Sequence, residues 1–451
     1  MPSLMRQGVA PAYLVLCLVL GGSAQGVWSN MILQLLGIAI IAWAAAVPTD
    51  EPLGRPVRQL AWLMAIALGV VALQLVPLPS TLWSGLGPRS AIAEGYAVLG
   101  LTVPAMPLSL APYDSVATLL TLIPAVAMFC AIIRLKAYRS SWLALALVAG
   151  TFAGISLGVL QVSSADPASS PWYLYRSTNR GHAVGFFANA NHMAILLVSA
   201  LPFLAALLAS ARGANVQRYS AAVALVAAAG LVILVGIALN RSLAGYGLAI
   251  PALAASALII LRGRSRARLW IGSGAALVLA ATVAAIALSP AAEQSFGASV
   301  SVSGRARMAA TTVEATADFL PFGSGLGTFR EVYRLYEDHD RVTPTYVNHA
   351  HNDYLELALE TGVPGIVLIL LFLAWFAASA SRVWRFADAG PYARAASIAV
   401  AAVLVHSLVD FPLRTAAISA TFAMCLALLV TRPRRRAERS ELRPPRHVVL
   451  E

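Results

Sequence analysis

Apolar stretches long enough to cross a lipid bilayer recur from one end of the chain to the other. About 20 mostly apolar residues span a hydrocarbon core ~30 Å thick, and helices satisfy their own backbone polar groups without water. The pattern therefore predicts an all-α polytopic membrane protein with about twelve transmembrane helices. The predicted spans lie near residues 9–25, 31–47, 58–76, 114–133, 141–161, 187–210, 220–239, 243–261, 270–289, 363–381, 395–411 and 415–431.

The first apolar run has two interpretations. One basic residue precedes it and the small residues Gly22-Ser23-Ala24 follow it, as in a cleaved signal peptide. The run is long, however, and another apolar run follows at once. We therefore predict a retained transmembrane helix.

Composition and charge agree with a membrane protein. The chain of 451 residues is 59% hydrophobic and 12% charged, whereas a soluble domain has about 25% charged residues. The net charge is +12, and 22 of the 32 Lys and Arg residues fall on the predicted side of the N-terminus. Basic residues concentrate on the cytoplasmic side of membranes, so both termini are predicted to be cytoplasmic. This distribution accounts for the net positive charge, so the charge does not indicate a nucleic-acid partner. The basic tail, 432–451, is predicted to be solvated and to contact anionic membrane lipid.

Two familiar kinds of chemistry find no support in the sequence. Cys17, Cys130 and Cys425 lie inside apolar runs, which predicts inert packing and neither a disulfide framework nor a metal site. No P-loop motif occurs, so any reaction must draw its energy from the substrate or from an ion gradient. We predict no cofactor.

The longest polar stretch lies in a predicted outer loop, residues 290–362. It includes Pro-Phe-Gly-Ser-Gly-Leu-Gly-Thr-Phe at 321–329, a tight-turn signal, and His349-Ala350-His351-Asn352-Asp353-Tyr354. A helix over 348–361, closed by Gly362, would place His351 on the packed face and Asp353, Glu356 and Glu360 toward water. Metal binding by His349, His351 and Asp353 is an alternative, but their spacing does not favour it.

Two arginines near the outer ends of predicted spans are further candidates. Arg241 lies between two strongly apolar runs, where a charge is costly and therefore suggests function. It could snorkel or pair with Asp410, or it could bind phosphate, which its planar fork matches. Arg180 precedes a helix start that carries Asn189, Asn191 and His192. The asparagines could simply cap the helix, or this N-terminus could face an anion.

Several short motifs, taken in order, resemble the O-antigen ligase and O-antigen polymerase superfamily of bacterial inner-membrane glycosyltransferases. The resemblance covers about 185–412, and the first ~110 residues carry none of it. The motifs are Gly-Phe-Phe-Ala-Asn-Ala-Asn-His at 185–192, Asn-Arg-Ser-Leu-Ala-Gly at 240–245, Gly304-Arg305, the glycine-rich motif at 321–329, His-Asn-Asp-Tyr-Leu-Glu at 351–356, Glu-Thr-Gly-Val-Pro-Gly at 360–365 and Val-Asp-Phe-Pro-Leu-Arg at 409–414.

The resemblance implies a fold, a reaction and a site. It implies a GT-C-like helical architecture and a metal-independent, inverting transfer of a glycan from undecaprenyl diphosphate at the periplasmic face. His351 matches the family's essential histidine, and Arg241 and, more loosely, Arg180 match its diphosphate-contacting arginines. The expected substrate-binding residues are Arg241, Arg180, Arg305, Asn189, Asn191 and Asn352. The expected domains are 1–184 with N-terminal helices, 185–431 with the ligase-like region and its catalytic loop 290–362, and the tail 432–451.

Three functions stay open at this point. A ligase would move a finished glycan to lipid A-core or another polysaccharide acceptor, whereas a polymerase would add repeat units. We expect the ligase type, narrowly. The alternative from another class is a transporter or flippase of lipid-linked sugars, which has little use for a large polar outer loop.

Overall fold

The computed structural model of the protein describes residues 3–24, 27–48, 52–262, 298–342, 346–386 and 388–431. These residues are mostly helical, with a single pair of two-residue strands, β1 (Pro77–Leu78) and β2 (Met106–Pro107). The helices are α1 Ser3–Gln7, α2 Val9–Leu20, α3 Trp28–Ala46, α4 Arg55–Gln74, α5 Ser80–Trp83, α6 Arg89–Val98, α7 Pro112–Leu120, α8 Ile123–Ile133, α9 Ser140–Val162, α10 Ala190–Ser210, α11 Val216–Asn240, α12 Leu243–Leu261, α13 Ala298–Phe319, α14 Phe329–Tyr336, α15 Asp353–Arg385, α16 Pro391–His406 and α17 Ala416–Val430.

The prediction of an all-α polytopic membrane protein is confirmed. Eight stretches are helical, long and apolar enough to cross a membrane: Trp28–Ala46, Arg55–Gln74, Pro112–Ile133, Ser140–Val162, Ala190–Gly213, Val216–Asn240, Leu243–Leu261 and Asp353–Arg385. Three shorter apolar helices occupy other predicted spans: Leu4–Leu20, Pro391–His406 and Ala416–Val430. The predicted span at 270–289 and the basic tail at 432–451 lie outside the described residues. The number twelve therefore stays a prediction.

The helix α10 forms the centre of the bundle. Its most apolar window is 83% buried, and it packs against α9, α11, α12 and α16. A helix that is apolar on all sides either faces lipid or is buried among other helices, and α10 is buried. The first apolar run, α2, also packs into the main core through Leu14 and Cys17.

Basic residues gather at one end of this bundle. Arg134 donates to the carbonyl oxygens of Ala44 and Val47, each at 3.1 Å, at the end of α3. Arg262, after α12, donates to Trp384 O at 3.0 Å, near the end of α15. We call this the basic end of the bundle.

The polar residues of the sequence motifs lie at the other end. The helix α10 begins there at Ala190, α15 begins there at Asp353, and α11 and α16 finish there. The two ends are joined by α15, whose second part, after a break at Gly362, covers about 23 residues or ~35 Å. That length is enough to cross the hydrocarbon core.

A second, smaller core lies at this polar end. It is formed by apolar side chains of α13, α14, the start of α15 and the loop 346–352, which carries His349 and His351 and which we call the histidine loop. These side chains are Ala315, Phe319, Phe329, Val332, Tyr333, Ala350 and Leu359. The predicted outer loop therefore carries a packed substructure that includes α13.

The glycine-rich loop at 321–328 is held by residues from the first quarter of the chain. Buried Arg89 donates to Gly323 O at 2.9 Å, and Ser115 Oγ donates to Leu326 O at 2.6 Å. Buried Gln74 accepts from Leu326 N at 3.1 Å and donates to Glu360 O at 2.8 Å. Residues 74–115 thus fix the loop against the start of α15.

The break in α15 requires glycine. Gly362 has φ 61° and ψ −149°, a conformation that side chains with a Cβ rarely adopt. A Cβ there would lie 2.2 Å from Pro321 O and 2.6 Å from Gly323 N. The prediction that Gly362 closes the first part of this helix is confirmed.

We expect Gly362→Ala to lower the stability of the protein by at least about 2 kcal/mol, because it adds both backbone strain and a clash with the glycine-rich loop. Thermal unfolding of the purified protein in detergent measures the effect. Gly230→Ala is the matched control, since no heavy atom lies within 4 Å of a Cβ built there and alanine favours the helix. Equal unfolding temperatures for Gly362→Ala and the wild type would contradict the prediction.

Candidate functional site

His351 lies in a loop immediately before α15. Its backbone has φ 51°, and α15 begins only at Asp353, where the Asn352 side chain accepts hydrogen bonds from Tyr354 N and Leu355 N at 3.0 Å. The predicted helix over 348–361 is therefore wrong at its start, because Asn352 is the N-cap and no helix can include the left-handed residue before it. The imidazole of His351 remains 23% exposed.

The expectation that the acids of this helix face water is also wrong. Asp353, Glu356 and Glu360 are 4%, 1% and 0% exposed. They follow one another at three and four residues, so they share one face of α15. That face is turned toward Arg414, which follows α16 and lies in a turn of 3₁₀ helix.

Arg414 contacts all three buried carboxyl groups. Its Nη2 lies 3.1 Å from Glu356 Oε1 and 3.3 Å from Glu360 Oε2, and its Nε lies 3.7 Å from Asp353 Oδ1. Burial alone would lower the pKa of the Arg414 guanidinium, but the three carboxylates raise it above its ordinary value. Arg414 is therefore permanently charged.

The same carboxylates hold the histidine loop. Glu356 Oε1 lies 2.8 Å from His349 Nδ1, and Glu356 Oε2 accepts from Ala350 N at 2.9 Å. Ser407 Oγ donates to Asp353 Oδ2 at 2.8 Å. The loop that carries His351 is thus tied to the end of α16 through the start of α15.

Asp410 is the centre of a second polar cluster. It is fully buried, and its Oδ1 lies 3.2 Å from His351 Nδ1 and 3.9 Å from His192 Nε2. Its Oδ2 lies 4.0 Å from His406 Nε2 and accepts a hydrogen bond from Asn191 Nδ2.

The environment of Asp410 keeps its carboxylate ionised. Burial alone would raise the pKa of Asp410, but the imidazoles of His351, His406 and His192 hold it well below its ordinary value. The Phe411 backbone N–H also donates to Oδ1 at 2.9 Å. A buried negative charge therefore lies beside the ring of His351.

The ring of Phe411 orders the imidazoles around Asp410. Its centroid lies 5.0 Å from that of His351, 5.1 Å from that of His192 and 4.2 Å from that of His349. The first two contacts are edge-on, an arrangement that aromatic rings favour. The position of the His351 ring is thus fixed by one apolar contact and one carboxylate.

A chain of side chains leads from His351 toward Arg241. Asn191, which donates to Asp410, accepts a hydrogen bond from Ser242 Oγ at 2.7 Å. Ser242 caps α12 and directly follows Arg241. The two residues are parts of the predicted turn between two spans, which is confirmed by the end of α11 at Asn240 and the start of α12 at Leu243.

A cavity of about 360 Å³ lies at Arg241, and Arg180 is not one of the residues that line it. Arg241 lines it, and Arg180 donates at 3.0 Å to the carbonyl of Ala168, which also lines it. The Arg180 guanidinium lies over the Tyr173 ring, 5.3 Å from its centroid. Further lining residues are Val162, Asp166, Pro167, Gly181 and Leu239. Among the described residues, Asp410, Asn191 and Ser242 connect His351 to the Arg241 turn at this cavity.

Backbone strain coincides with two of the candidate residues. Within the described part of the chain, three residues other than glycine have positive φ: Lys136 at 49°, Arg241 at 59° and His351 at 51°. Such conformations cost free energy and concentrate at functional sites. Two of the three residues at positive φ therefore coincide with candidates chosen from the sequence.

The remaining candidates have mixed roles. Asn189 accepts from Asn191 N at 2.8 Å and so caps α10, the structural alternative raised by the sequence. Asn352 caps α15 and donates to Leu408 O at 3.0 Å. Arg305 is half-buried on the face of α13 that continues through Met308 to the small core around Ala350, beside His351.

Of the four residues Asp410, Phe411, Arg414 and His406, sequence reasoning considered only Asp410, as a possible partner of Arg241. Three of the four belong to the motif Val-Asp-Phe-Pro-Leu-Arg, so the signal was present as a polar interruption between two apolar runs. The sequence did not show which side chain lies beside each of these charged groups. Only the fold brings residues 353–360 and 410–414 together.

These observations define a polytopic helical membrane protein with a buried carboxylate, a partly exposed histidine and two arginines at one end of the bundle. Residues 182–370 match the family model described as O-antigen ligase. A comparison with curated proteins gives no match. This match, over less than half of the chain, supports the family that the sequence motifs indicated.

We expect Arg414→Gln to destabilise the protein by about 3–5 kcal/mol, because it leaves three buried carboxylates without their cation. Unfolding in detergent, followed by circular dichroism at 222 nm, measures the loss. Arg330→Gln is the matched control, since its ion pair with Glu331 is exposed (42% and 35%) and such pairs contribute about 0–1 kcal/mol. A similar, small effect of both substitutions would show that Arg414 does not hold this end together.

Proposed function

We propose that the protein transfers a glycan from undecaprenyl diphosphate to an acceptor hydroxyl, in the manner of an O-antigen ligase. The observation that carries this proposal is the contact of 3.2 Å between His351 Nδ1 and the buried Asp410 carboxylate, in a cluster that reaches the Arg241 turn. The family match supports the reaction class. The identity of donor and acceptor, and the independence from metal, belong to the proposal.

The proposed binding site for the donor diphosphate is the cavity beside Arg241 and Arg180. A guanidinium binds phosphate oxygens through two parallel hydrogen bonds and keeps its charge at every relevant pH. Asp166 also lines this cavity, but its Oδ1 accepts a hydrogen bond from Ala168 N at 3.1 Å within its own turn. The arginines would also stabilise the charge that grows on the diphosphate as its bond to the sugar breaks.

His351 is the proposed general base. Nδ1 lies 3.2 Å from Asp410 Oδ1. A proton on Nδ1 would leave the Nε2 lone pair available for the acceptor hydroxyl. The hydroxyl oxygen attacks the anomeric carbon while its proton passes to Nε2. The bond between that carbon and the diphosphate oxygen breaks, and its electron pair leaves with undecaprenyl diphosphate. The proton on His351 then returns to water.

The proposed location of this chemistry is the periplasmic side of the inner membrane. The residues of the site lie opposite the basic end, where Arg134 and Arg262 bind helix ends. The positive-inside rule assigns the basic end to the cytoplasm. A lipid-linked donor would then reach Arg241 from the outer leaflet, with its glycan in the periplasm.

We expect His351→Ala to abolish transfer and Arg241→Lys to reduce it by at least about 10²-fold, since lysine keeps the charge but lacks the planar fork. The assay mixes purified protein in liposomes with radiolabelled undecaprenyl-diphosphate glycan and lipid A-core. It measures released undecaprenyl diphosphate and labelled acceptor.

The matched controls are His339→Ala and Arg307→Lys, two exposed residues of the same polar region. Both should retain wild-type rates. Activity that survives His351→Ala would reject the assignment of the base. Movement of the donor across the bilayer without release of diphosphate would identify a transporter instead, and a ladder of products lengthened by repeat units would identify a polymerase.

We expect Asp410→Asn to lower kcat by about 10²–10⁴-fold with little change in KM, because the carboxylate positions the imidazole and stabilises its protonated form without touching the substrate. Initial rates over a range of donor concentrations separate the two constants. Thermal unfolding of the variant controls for a purely structural role. An increase in KM with kcat unchanged would place Asp410 in donor binding and contradict this role.

A further inference from the structure

A groove of about 580 Å³ lies at the basic end of the bundle, far from the site described above. It runs between α4 and the last part of α15. Arg55 and Arg382 line one end of it, and Trp62, Ile66 and Leu371 line its apolar part. Trp375 forms its floor, where the indole N–H donates to Pro56 O at 3.1 Å and ties the two helices together.

The length of the groove matches half of a bilayer. The two helices run antiparallel, and eleven residues separate Arg55 from Ile66 on one and Leu371 from Arg382 on the other. Eleven helical residues rise about 16 Å, and half of a ~30 Å hydrocarbon core is about 15 Å. The apolar lining therefore spans one leaflet, with both arginines at its surface.

The charges in the groove call for an anion. Arg55 and Arg382 are both exposed, and across the described ranges of the chain neither forms an ion pair with a carboxylate. Guanidinium groups match phosphate oxygens. Trp62 (69% exposed), Ile66 (50%) and Leu371 (49%) offer an apolar surface for an acyl chain.

We propose that this groove is a binding site for an anionic phospholipid of the leaflet at the basic end. The lipid phosphate lies between Arg55 and Arg382, and one acyl chain lies along Trp62, Ile66 and Leu371. A zwitterionic lipid fits less well, because its ammonium group brings a positive charge toward two guanidinium groups. Basic pockets between helices near the cytoplasmic surface bind such headgroups in other membrane proteins.

Native mass spectrometry of the detergent-purified protein tests the proposal. Equal amounts of phosphatidylglycerol and phosphatidylcholine with the same acyl chains are added, and the bound fraction of each is measured. We expect phosphatidylglycerol to be bound roughly tenfold more strongly, and the double variant Arg55→Gln/Arg382→Gln to lose that preference. The matched control, Arg58→Gln/Arg385→Gln, removes two exposed arginines of the same helices that do not line the groove and should keep it.

A second variant leaves the arginines in place. Ala378 lines the groove and is exposed, so Ala378→Leu fills it without removing charge and should also weaken lipid binding. Equal binding of the two lipids, or an unchanged preference in the double glutamine variant, would overturn the proposal. Displacement of bound phosphatidylglycerol by millimolar glycerol phosphate would overturn it as well, since it would show that the acyl chain adds nothing.

Discussion

The ion cluster around Arg414 is the interaction on which the polar end of the protein depends. Three carboxylates on one face of α15 lie out of water, and a buried carboxylate is stable as an anion only beside a compensating charge and hydrogen-bond donors. Arg414 contacts all three within 3.7 Å. Because Arg414 precedes α17 and the acids begin α15, this one cation fixes the relative position of two membrane helices.

Each of the three acids also contacts another part of the site and so fixes its position. Asp353 binds Ser407 at the end of α16, and Glu356 binds His349 and Ala350 in the histidine loop. Glu360 contacts Arg414 with its carboxylate and the glycine-rich loop with its carbonyl, which accepts from Gly325 N at 2.9 Å. A loop that would otherwise be mobile is therefore held in the strained conformation that presents His351.

Much of the fold could be predicted from hydropathy, because membrane helices are recognised by their length and apolar composition. The same pattern predicted a wrong helix start at 348–361. Helical periodicity extends to residues before Asn352, but Asn352 is the N-cap and α15 begins after it. The acids were expected in water because charge usually means exposure. Their burial depends on Arg414, more than fifty residues later, and no local pattern reports such a partner. His351, Arg241 and Asn191 were identified through motifs. The role of Asp410 became visible only from its contacts with His351 and Asn191 in the folded structure.

The contacts of Gln74, Arg89 and Ser115 with the glycine-rich loop determine which segment of the chain could be exchanged as a unit. The stretch that matches the family, 182–370, does not contain these three residues, nor Asp410 and Arg414. The segment that matches the family model is thus shorter than the part of the chain that must fold together. A chimera that exchanged only the recognisable segment between relatives would lose the support on both flanks. The opening helices therefore belong to the same folding unit as the glycine-rich loop that they support.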